Sequence, residues 1–588
     1  MKQIALIMLL SSLIVTPSLA KTQKKESKLF LVGGGLKTCT SMAIKNCNNK
    51  ALLEVEQLKS TKAANLYQIN QKKINLVKKY WVHNTNIKTK TMLLDLLERV
   101  FDSNNQRNIS LKKLKSTLKK YDRKKIIQQF TDPEYYTLLD LLEQSVVDVN
   151  TGERLKEHVD LANSTNLFST HLYYEFVKQA KSLSGKKSPK IIVLTASARD
   201  PFEAADFYQT VFQQAGADAK WLPFDATLNE AMQLKGSRQS VCNDLSQIRE
   251  RVQGSLNREL VYPDLTALQM EFCMSPQLII DSIKKADGVF INGGDQSLTL
   301  KAFINHDGSD NAVLTLIKNK IENGKFIIGG TSAGTAVMSG GTYNKSPVVM
   351  ITNGQSSTAI IRGSKKDSLP TEGCQKSDSC NQDLLNDDLT YNSQGGLGLF
   401  RWGIMDTHFS ERGRQGRLAQ LSIDTNVRFA FGVDESTALI VSNISTATPS
   451  LSVIGQGGVF IVENSMTRKT NRNSVKSHYM TFGDTAKIDD KQLSINIADW
   501  KKNQLESVTI PKDARNIFDR DRYQKMAEIL CRSNAKNFTA IDKWRKRKIN
   551  VDVEKLPNES SNYGTIKVGD KTKDYCSYKN YVFSFYSE

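Results

Sequence analysis

Hydrophobic residues along this chain of 588 residues fall into short runs that end in glycine-rich turns. Residues 28–35 read KLFLVGGG, which predicts a buried strand followed by a tight turn. Similar strand patterns recur at 190–197, 288–294 and 326–334, and helical patterns separate them. Alternating strands and helices predict a doubly wound α/β fold, in which helices cover both faces of a mainly parallel sheet.

Three of these glycine-rich turns follow predicted strands, after Val32, Asn292 and Ile328. Parallel sheets bind their ligands beyond the carboxyl ends of the strands. We therefore expect the three turns to converge on one crevice. Beyond Glu463 the pattern weakens, and it favours no particular fold for the basic stretch 510–588.

Helical periodicity runs through residues 40–185, in segments such as TMLLDLLERVF, and predicts an inserted helical subdomain. Residues 61–130 contain 17 Lys and Arg but only 4 Asp and Glu, within a formal net charge of +20. Such a surplus is either a solvated helical face or a surface that attracts an anionic surface or polymer. No nucleic-acid-binding motif accompanies it, so we expect no nucleic-acid partner.

The first twenty residues have the parts of a secretory signal peptide. Lys2 precedes an apolar run from residue 4 to residue 15, and Ser18-Leu19-Ala20 follows. We expect cleavage after Ala20 and a secreted or periplasmic protein. No other stretch approaches the ~18 apolar residues that would suggest a membrane span.

Eight cysteines, an even number, are typical of an exported protein with disulfides. Their spacing lacks the clustered pattern of a zinc site. We expect neither a metal nor another cofactor. The predicted pairs are Cys39 with Cys47, Cys242 with Cys273, Cys374 with Cys380, and Cys531 with Cys576.

The segment Gly330-Thr331-Ser332-Ala333-Gly334 has the G-x-S-x-G pattern of a nucleophile elbow. In that motif a sharp turn between a strand and a helix exposes the serine. The backbone N–H of Ala333 and the helix N-terminus would then lie beside it and hold an oxyanion. The alternatives are a loop that only turns a corner and one that cradles a phosphate.

A serine nucleophile needs a base, and His408 and His478 are the histidines that follow Ser332 in the chain. His408 follows a predicted strand at 402–405, which places it at the same strand-end level as Ser332. His478 lies in a polar stretch in which we predict neither a strand nor an acidic neighbour. The pattern therefore favours His408.

A third residue, an acid, should orient the histidine, and the candidates in the sequence are Asp406, Asp434 and Glu435. Asp434 and Glu435 interrupt an apolar segment, and buried carboxylates need partners. Arginines close to His408 in sequence predict recognition of carboxylate groups. These arginines are Arg412, Arg414 and Arg417.

Four segments occur in the order found in cyanophycinases. They are FINGGDQSLTL at 290–300, GGTSAGTAVMSG at 329–340, DTHFSERGRQGRL at 406–418 and GVDESTALIV at 432–441. The chain resembles the cyanophycinase branch of the serine peptidase family that also contains dipeptidase E. This resemblance implies a class-I glutamine-amidotransferase-like, or flavodoxin-like, fold and a Ser-His-Glu catalytic arrangement.

The resemblance also implies roles for single residues. Ser332 would be the nucleophile, His408 the base and Glu435 the orienting acid. The N–H groups of Gly294 and Ala333 would form the oxyanion hole. The positions that match the substrate pocket of the family are Gln296, Asp406 and Arg417.

The resemblance predicts how the chain is divided into domains. The chain also differs from the family at several points. Residues 28–39 and 186–465 would form the catalytic domain, 40–185 a basic helical insertion and 466–588 a C-terminal extension. The compact family core lacks the last two. Thr407 stands where cyanophycinases typically carry glutamine, a difference that bears on the substrate more than on the chemistry.

The resulting hypothesis is an exported serine hydrolase that cleaves peptide or isopeptide bonds next to aspartyl residues. The substrate implied by the family is cyanophycin, which would be cut to β-aspartyl-arginine. A dipeptidase-like enzyme for small aspartyl peptides and a non-catalytic exported binding protein are the alternatives. A homodimer is compatible with the resemblance, since members of the family are often dimeric.

Overall fold

The computed structural model describes residues 26–50, 61–81, 87–103, 108–368, 383–465, 472–489, 492–503, 509–511, 514–556, 561–569 and 571–588. Two nine-stranded sheets and the helices around them make up most of this part of the chain. The α-helices span Gln71–Tyr80, Ile87–Ser103, Leu111–Tyr121, Asp132–Leu142, Leu167–Ser184, Ala205–Gln214, Ala226–Gln233, Arg238–Asn243, Leu245–Gln253, Arg258–Val261, Pro263–Met274, Gln277–Lys285, Gln296–Phe303, Ala312–Glu322, Ala333–Ala336, Ser356–Arg362, Gln415–Thr425 and Arg522–Arg532.

The first sheet contains the parallel strands that the sequence predicts. In spatial order the parallel strands are Lys28–Val32, Ile327–Thr331, Gly288–Ile291, Lys190–Leu194 and Asp218–Trp221. Antiparallel strands continue the sheet beyond Lys28–Val32, in the order Thr437–Ser442, Ser450–Gly455, Thr485–Ile488 and Leu493–Asn496.

Helices cover both faces of this sheet, and each face has its own hydrophobic core. Successive side chains of a strand point to opposite faces. Leu29 and Leu31 therefore enter one core, with helix Ala312–Glu322, while Phe30 and Val32 enter the other, with helix Leu167–Ser184. The predicted α/β fold class is confirmed.

The second sheet is mainly antiparallel and includes most of the C-terminal part of the chain. The stretch 510–588, for which the sequence pattern favours no fold, provides five of its strands and helix Arg522–Arg532. In spatial order the strands are Ile404–Thr407, Phe429–Val433, Gly458–Glu463, Asn473–Thr481, Lys571–Ser587, Arg547–Lys555, Asn537–Trp544 and Ala514–Arg515, and Ser561–Val568 pairs with Lys571–Ser587. Shorter sheets are formed by Cys39–Thr40 with Val159–Asp160, by Leu66–Tyr67 with Ile109–Ser110 and Glu143–Gln144, by Thr342–Tyr343 with Ser346–Pro347, and by Met350–Asn353 with Leu389–Asn392 and Ser364–Lys366.

The predicted insertion is helical and has a hydrophobic core of its own, in which Trp81 is 1% exposed. Helix Leu111–Tyr121 buries Leu114 and Leu118 and turns its lysines to solvent. Helix Leu167–Ser184 also falls within 40–185, yet it packs on the first sheet. The layer around that sheet therefore begins before residue 186.

Three of the predicted disulfides are present: Cys39–Cys47, Cys242–Cys273 and Cys531–Cys576. The fourth predicted pair, Cys374 with Cys380, lies outside the described residues, as does the predicted signal peptide. Within the described ranges, no helix combines the length and apolar character needed to cross a bilayer. The same ranges hold no group of three or more His, Cys, Asp or Glu side chains arranged to bind a metal ion.

Candidate active site

Ser332 lies on a sharp turn between strand Ile327–Thr331 and helix Ala333–Ala336. Its φ of 53° is in the left-handed region, which is unusual for a residue with a side chain. A Cβ on Gly330 would clash with the carbonyl of Gly334, and a Cβ on Gly334 would lie 2.5 Å from the carbonyl oxygen of Asn292. Both glycines of the motif are therefore required by close backbone contacts.

The side chains of Ser332, His408 and Glu435 form one hydrogen-bonded series. Ser332 Oγ lies 2.8 Å from His408 Nε2, and His408 Nδ1 lies 2.7 Å from Glu435 Oε1. The hydrogen bond from His408 holds the pKa of Glu435 below its ordinary value. A carboxylate in this position fixes the orientation of the ring and stabilises the imidazolium form. Of the three acids considered from the sequence, the structure brings Glu435 to the histidine.

His408 and Glu435 meet because they follow neighbouring parallel strands of the second sheet. Ile404–Thr407 pairs with Phe429–Val433, and Thr407 lies opposite Val433. The strands end together, so the next residues of each emerge at the same edge. His408 adopts a φ of 47°, in the left-handed region that is unusual for a residue with a side chain.

The glycine turn after Val32 forms a wall of the site. A Cβ on Gly34 would clash with the imidazole of His408, and a Cβ on Gly35 would clash with the carboxyl group of Glu435. The His408 N–H also donates to the carbonyl oxygen of Gly33 at 2.8 Å. This turn therefore holds the base and the acid, a role that follows only from contacts distant in sequence.

The Gly293–Gly294 turn lies against the serine. A Cβ placed on Gly293 would lie 3.6 Å from Ser332 Oγ, and a Cβ on Gly294 would clash with the carbonyl of Ser197. Gly294 has a φ of 148°, which a side chain disfavours. Together with the glycine turn that follows Val32 and the elbow itself, this places all three predicted turns at one site.

Asp406 and Arg417 form a buried ion pair. Arg417 Nη2 lies 2.6 Å from Asp406 Oδ1, and the two side chains are 4% and 1% exposed. Arg414 Nη1 approaches the same carboxylate at 3.1 Å. Although burial alone would raise it, these guanidiniums hold the pKa of Asp406 below its ordinary value. Two cations share one anion, so the cluster keeps a net positive charge.

A cavity of about 430 Å³ adjoins this cluster. Four arginines line it, against two aspartates, and Arg412 is exposed. The lining charges are Arg412, Arg414, Arg417, Arg520, Asp387 and Asp519. The Arg412 N–H donates to the carbonyl oxygen of His408 at 3.1 Å, so this part of the wall lies one turn of backbone after the base. A positively charged cavity of this kind is suited to a carboxylate.

Gln296 begins the helix that follows the Gly293–Gly294 turn. Its amide Nε2 donates to the backbone carbonyls of Ile351 and Thr352, at 3.0 and 3.1 Å. Residue 353, the next in the chain, lines the cationic cavity. The side chain that the resemblance assigns to the substrate pocket therefore also connects the Gly293–Gly294 turn to the wall of that cavity.

Asp434 and Glu411 are acidic residues whose positions the sequence does not reveal. Asp434 is buried and accepts hydrogen bonds from the Ser410 and Gly458 N–H groups and from the Tyr479 hydroxyl. Glu411 lies beside it, and its Oε1 accepts a hydrogen bond from the Glu435 N–H at 3.1 Å. Burial and the charges of Asp434 and Glu435 raise the pKa of Glu411 to about 8.

The prediction for the surroundings of His478 is wrong. This residue lies in strand Asn473–Thr481, is 1% exposed and has an acidic neighbour, since its Nε2 lies 3.6 Å from Glu463 Oε2. Its Nδ1 accepts a hydrogen bond from the Asn580 N–H. The strand is hard to recognise from the sequence, because polar residues also occupy buried positions and hide the alternation of apolar and polar side chains.

Comparisons with known proteins find related sequences. Residues 240–360 match the model of peptidase family S51. The chain is 25% identical over 329 residues to cyanophycinases of Trichormus variabilis and of a Nostoc species, which covers 52% of this chain and 89% of each relative. A cyanophycinase of Geminocystis herdmanii is 24% identical over 302 residues, 51% of this chain and 79% of its own.

Among solved structures, a peptidase from an acI-B1 actinobacterium matches 55% of this chain and 92% of its own, with 16% identity and a TM-score of 0.30. The residues that match the family model include the serine motif at 330–334. The cyanophycinase relatives are matched over most of their own length. The chain is a serine-type peptidase that is similar to cyanophycinases over about half of its length.

Proposed function

We propose that this chain is an exported hydrolase that cleaves peptide or isopeptide bonds next to aspartyl residues. The observation that carries the proposal is the hydrogen-bonded series Ser332–His408–Glu435, with distances of 2.8 and 2.7 Å. A serine, a base and an acid in this arrangement are the machinery of acyl transfer. The cyanophycinase relatives supply cyanophycin as the substrate class, and the resemblance in sequence implies that it would be cut to β-aspartyl-arginine.

The reaction would proceed in two steps. Ser332 Oγ attacks the scissile carbonyl while His408 Nε2 takes its proton, and His408 then protonates the leaving amine. Water, activated by the same imidazole, hydrolyses the acyl-enzyme. Glu435 holds His408 in the productive tautomer throughout.

The N–H groups of Gly294 and Ala333 would stabilise the oxyanion that forms on the carbonyl oxygen. Removing one such donor typically costs about 3 kcal/mol of transition-state stabilisation. The close packing of Gly293 against Ser332 supports this assignment, since it brings the turn to the reacting atom. The neighbouring arginine cavity would hold the carboxylate of the aspartyl residue.

Export rests on the N-terminal signal pattern and on the three disulfides. Disulfides persist in oxidising compartments, so they support a secreted or periplasmic location. N-terminal sequencing of the mature protein would test this directly. We expect it to begin at Lys21, after the predicted cleavage site.

Mass spectrometry of the products from cyanophycin and from a panel of α- and β-aspartyl peptides tests the activity. We expect hydrolysis beside the aspartyl residue by the wild type and none by Ser332→Ala, with the same melting temperature for both. Cleavage of small peptides alone would favour the dipeptidase-like alternative. Equal turnover by Ser332→Ala would overturn the assignment of the nucleophile, and inactivity on the whole panel would favour a binding protein.

A further inference from the structure

A second cavity, of about 260 Å³, lies on the other side of Glu435. Glu411 and Glu435 line it from the catalytic segments, and Gln524, Lys525 and Glu528 line it from helix Arg522–Arg532. That helix belongs to the C-terminal part of the chain, outside the residues 240–360 that match the peptidase family. The cavity is smaller than a typical site for a whole drug-sized ligand, so it suits one side chain.

The inner wall of this cavity is rich in acceptor atoms. Asp434 is 2% exposed, and Glu411 and Glu528 are half-buried. Among the described residues, Glu411 Oε2 and Gln524 Oε1 are buried and have no hydrogen-bond partner. Gln524 is 6% exposed, and its Nε2 already donates towards Glu528 at 3.3 Å.

Buried acceptors without donors destabilise a protein, because they lose their hydrogen bonds to water and gain none in return. Two of them belong to residues that line the same cavity, beside further carboxyl groups. Glu411 keeps its proton while no cation lies beside it, and a bound group with several N–H donors and no acceptor would favour its carboxylate form and satisfy both atoms at once. Guanidinium and ammonium groups have this character, and guanidinium offers five donors in a planar arrangement.

Positively charged side chains surround the mouth of the cavity, in contrast to the carboxyl groups of its inner wall. Lys37, Arg520 and Lys525 are exposed there, and Lys573 is half-buried. The side chain of Arg520 is 70% exposed, and its Nε lies 3.5 Å from Asp521 Oδ2. Cations at the mouth and carboxyls within suit a ligand that is cationic at one end and anionic at the other.

We propose that this cavity is a subsite for a substrate residue that carries a guanidinium or ammonium head and a free carboxylate. The inference rests on the proposed function, because Glu435 links the cavity to Ser332 through His408. The cationic head would lie among Glu411, Gln524 and Glu528. The carboxylate would lie near Arg520 and Lys525, so the C-terminal part of the chain selects the substrate.

Direct binding to the Ser332→Ala protein tests the subsite without turnover. Isothermal titration calorimetry would compare Nα-acetyl-L-arginine, Nα-acetyl-L-citrulline and N-acetylagmatine. The citrulline compound is a neutral analogue of the arginine compound, and N-acetylagmatine lacks only the carboxylate. We expect each of the latter two to bind at least ~10-fold more weakly, since a charged hydrogen bond is lost. Nα-acetyl-L-lysine would show whether guanidinium is preferred over ammonium.

Substitutions in the cavity locate the binding. Glu528→Gln and Glu411→Gln, each combined with Ser332→Ala, should weaken arginine binding about 10-fold. Glu230→Gln is the matched control, because Glu230 lines a separate cavity of about 990 Å³ and should leave affinity unchanged. Equal affinity for the arginine and citrulline compounds, or equal affinity in all variants, would overturn the subsite.

The outcomes also separate the subsite from the proposed function. If the wild type cleaves aspartyl peptides while the Ser332→Ala protein binds none of the probes, the subsite is wrong and the function stands. If the arginine compound binds as expected while no aspartyl peptide is cleaved, the subsite is supported and the proposed function is wrong.

Discussion

The backbone N–H of Glu435 donates to the carboxyl of Glu411 at 3.1 Å, so a second acid lies directly beside the one that contacts His408. The two acids differ in environment. His408 lowers the pKa of Glu435, whereas burial and the neighbouring Asp434 raise the pKa of Glu411 to about 8. Glu435 is therefore ionised at neutral pH, while most of Glu411 keeps its proton.

Glu411 should make the protein less stable as the pH rises. An unfolded glutamate titrates near pH 4.3, so between about pH 4.5 and 8 the folded state holds a proton that the unfolded state has lost. The free energy of unfolding then falls across this window, by up to about 1.4 kcal/mol per pH unit. Glu411→Gln should remove this slope, which chemical denaturation at pH 5, 6.5 and 8 would measure. Parallel curves for the two proteins would contradict the raised pKa.

Glu435→Gln should reduce kcat by about 10²–10⁴-fold, because an amide neither stabilises the imidazolium nor fixes its tautomer. The protein offers a matched control in a second histidine–glutamate contact. Glu230 Oε2 lies 2.6 Å from His306 Nε2, in the larger cavity. Glu230→Gln should leave kcat unchanged, whereas equal kcat for wild type and Glu435→Gln would remove Glu435 from the mechanism.

Gly34→Ala should lower kcat strongly, because the new methyl group would occupy the position of the His408 ring. Gly152→Ala is the control, because it introduces backbone strain without a clash. Gly152 also has a positive φ, of 72°, but a Cβ there would meet no atom within 4 Å. Both substitutions should cost roughly 1–2 kcal/mol in backbone strain. Only Gly34→Ala should impair hydrolysis, and similar activities in the two variants would contradict the role of this turn.

Asp406→Asn should destabilise the protein by about 3–5 kcal/mol, since it leaves the guanidinium of Arg417 buried without its counter-charge. Asp552→Asn is the control. Asp552 pairs with Arg472 at the surface, at 3.4 Å, and exposed pairs are worth only about 0–1 kcal/mol. Thermal denaturation would compare the variants, and equal melting temperatures would show that Asp406 has little structural role.

The sequence predicts the parts of the fold that depend on local pattern. The strand at Lys28–Val32, the elbow at Ser332 and the three glycine turns follow from apolar runs and glycine spacing, and the structure has them where predicted. The sequence favours Glu435 over Asp434 as the orienting acid only through the resemblance to the cyanophycinase family. The two carboxyls are adjacent in sequence, and only the tertiary structure shows that Asp434 faces the Tyr479 hydroxyl instead.

Long-range contacts explain what the pattern missed. Glu411 and Glu435 are 24 residues apart, and neither segment signals that the other lies beside it. Strands in 510–588 alternate buried and exposed side chains, as in Asn537–Trp544, but charged residues occupy many exposed positions and obscure the runs. The helix Arg522–Arg532 reaches the catalytic segments through the Asp521 N–H, which donates to the Ser410 carbonyl oxygen.

The strand Lys571–Ser587 has a consequence for how the protein is made. It lies between Asn473–Thr481 and Arg547–Lys555 in the second sheet and also pairs with Ser561–Val568. A nascent chain that has not yet reached Ser587 leaves those strands with open edges, which tend to aggregate. The histidine and the acid are attached to that same sheet. We therefore expect this sheet to be completed only after strand Lys571–Ser587 has been synthesised.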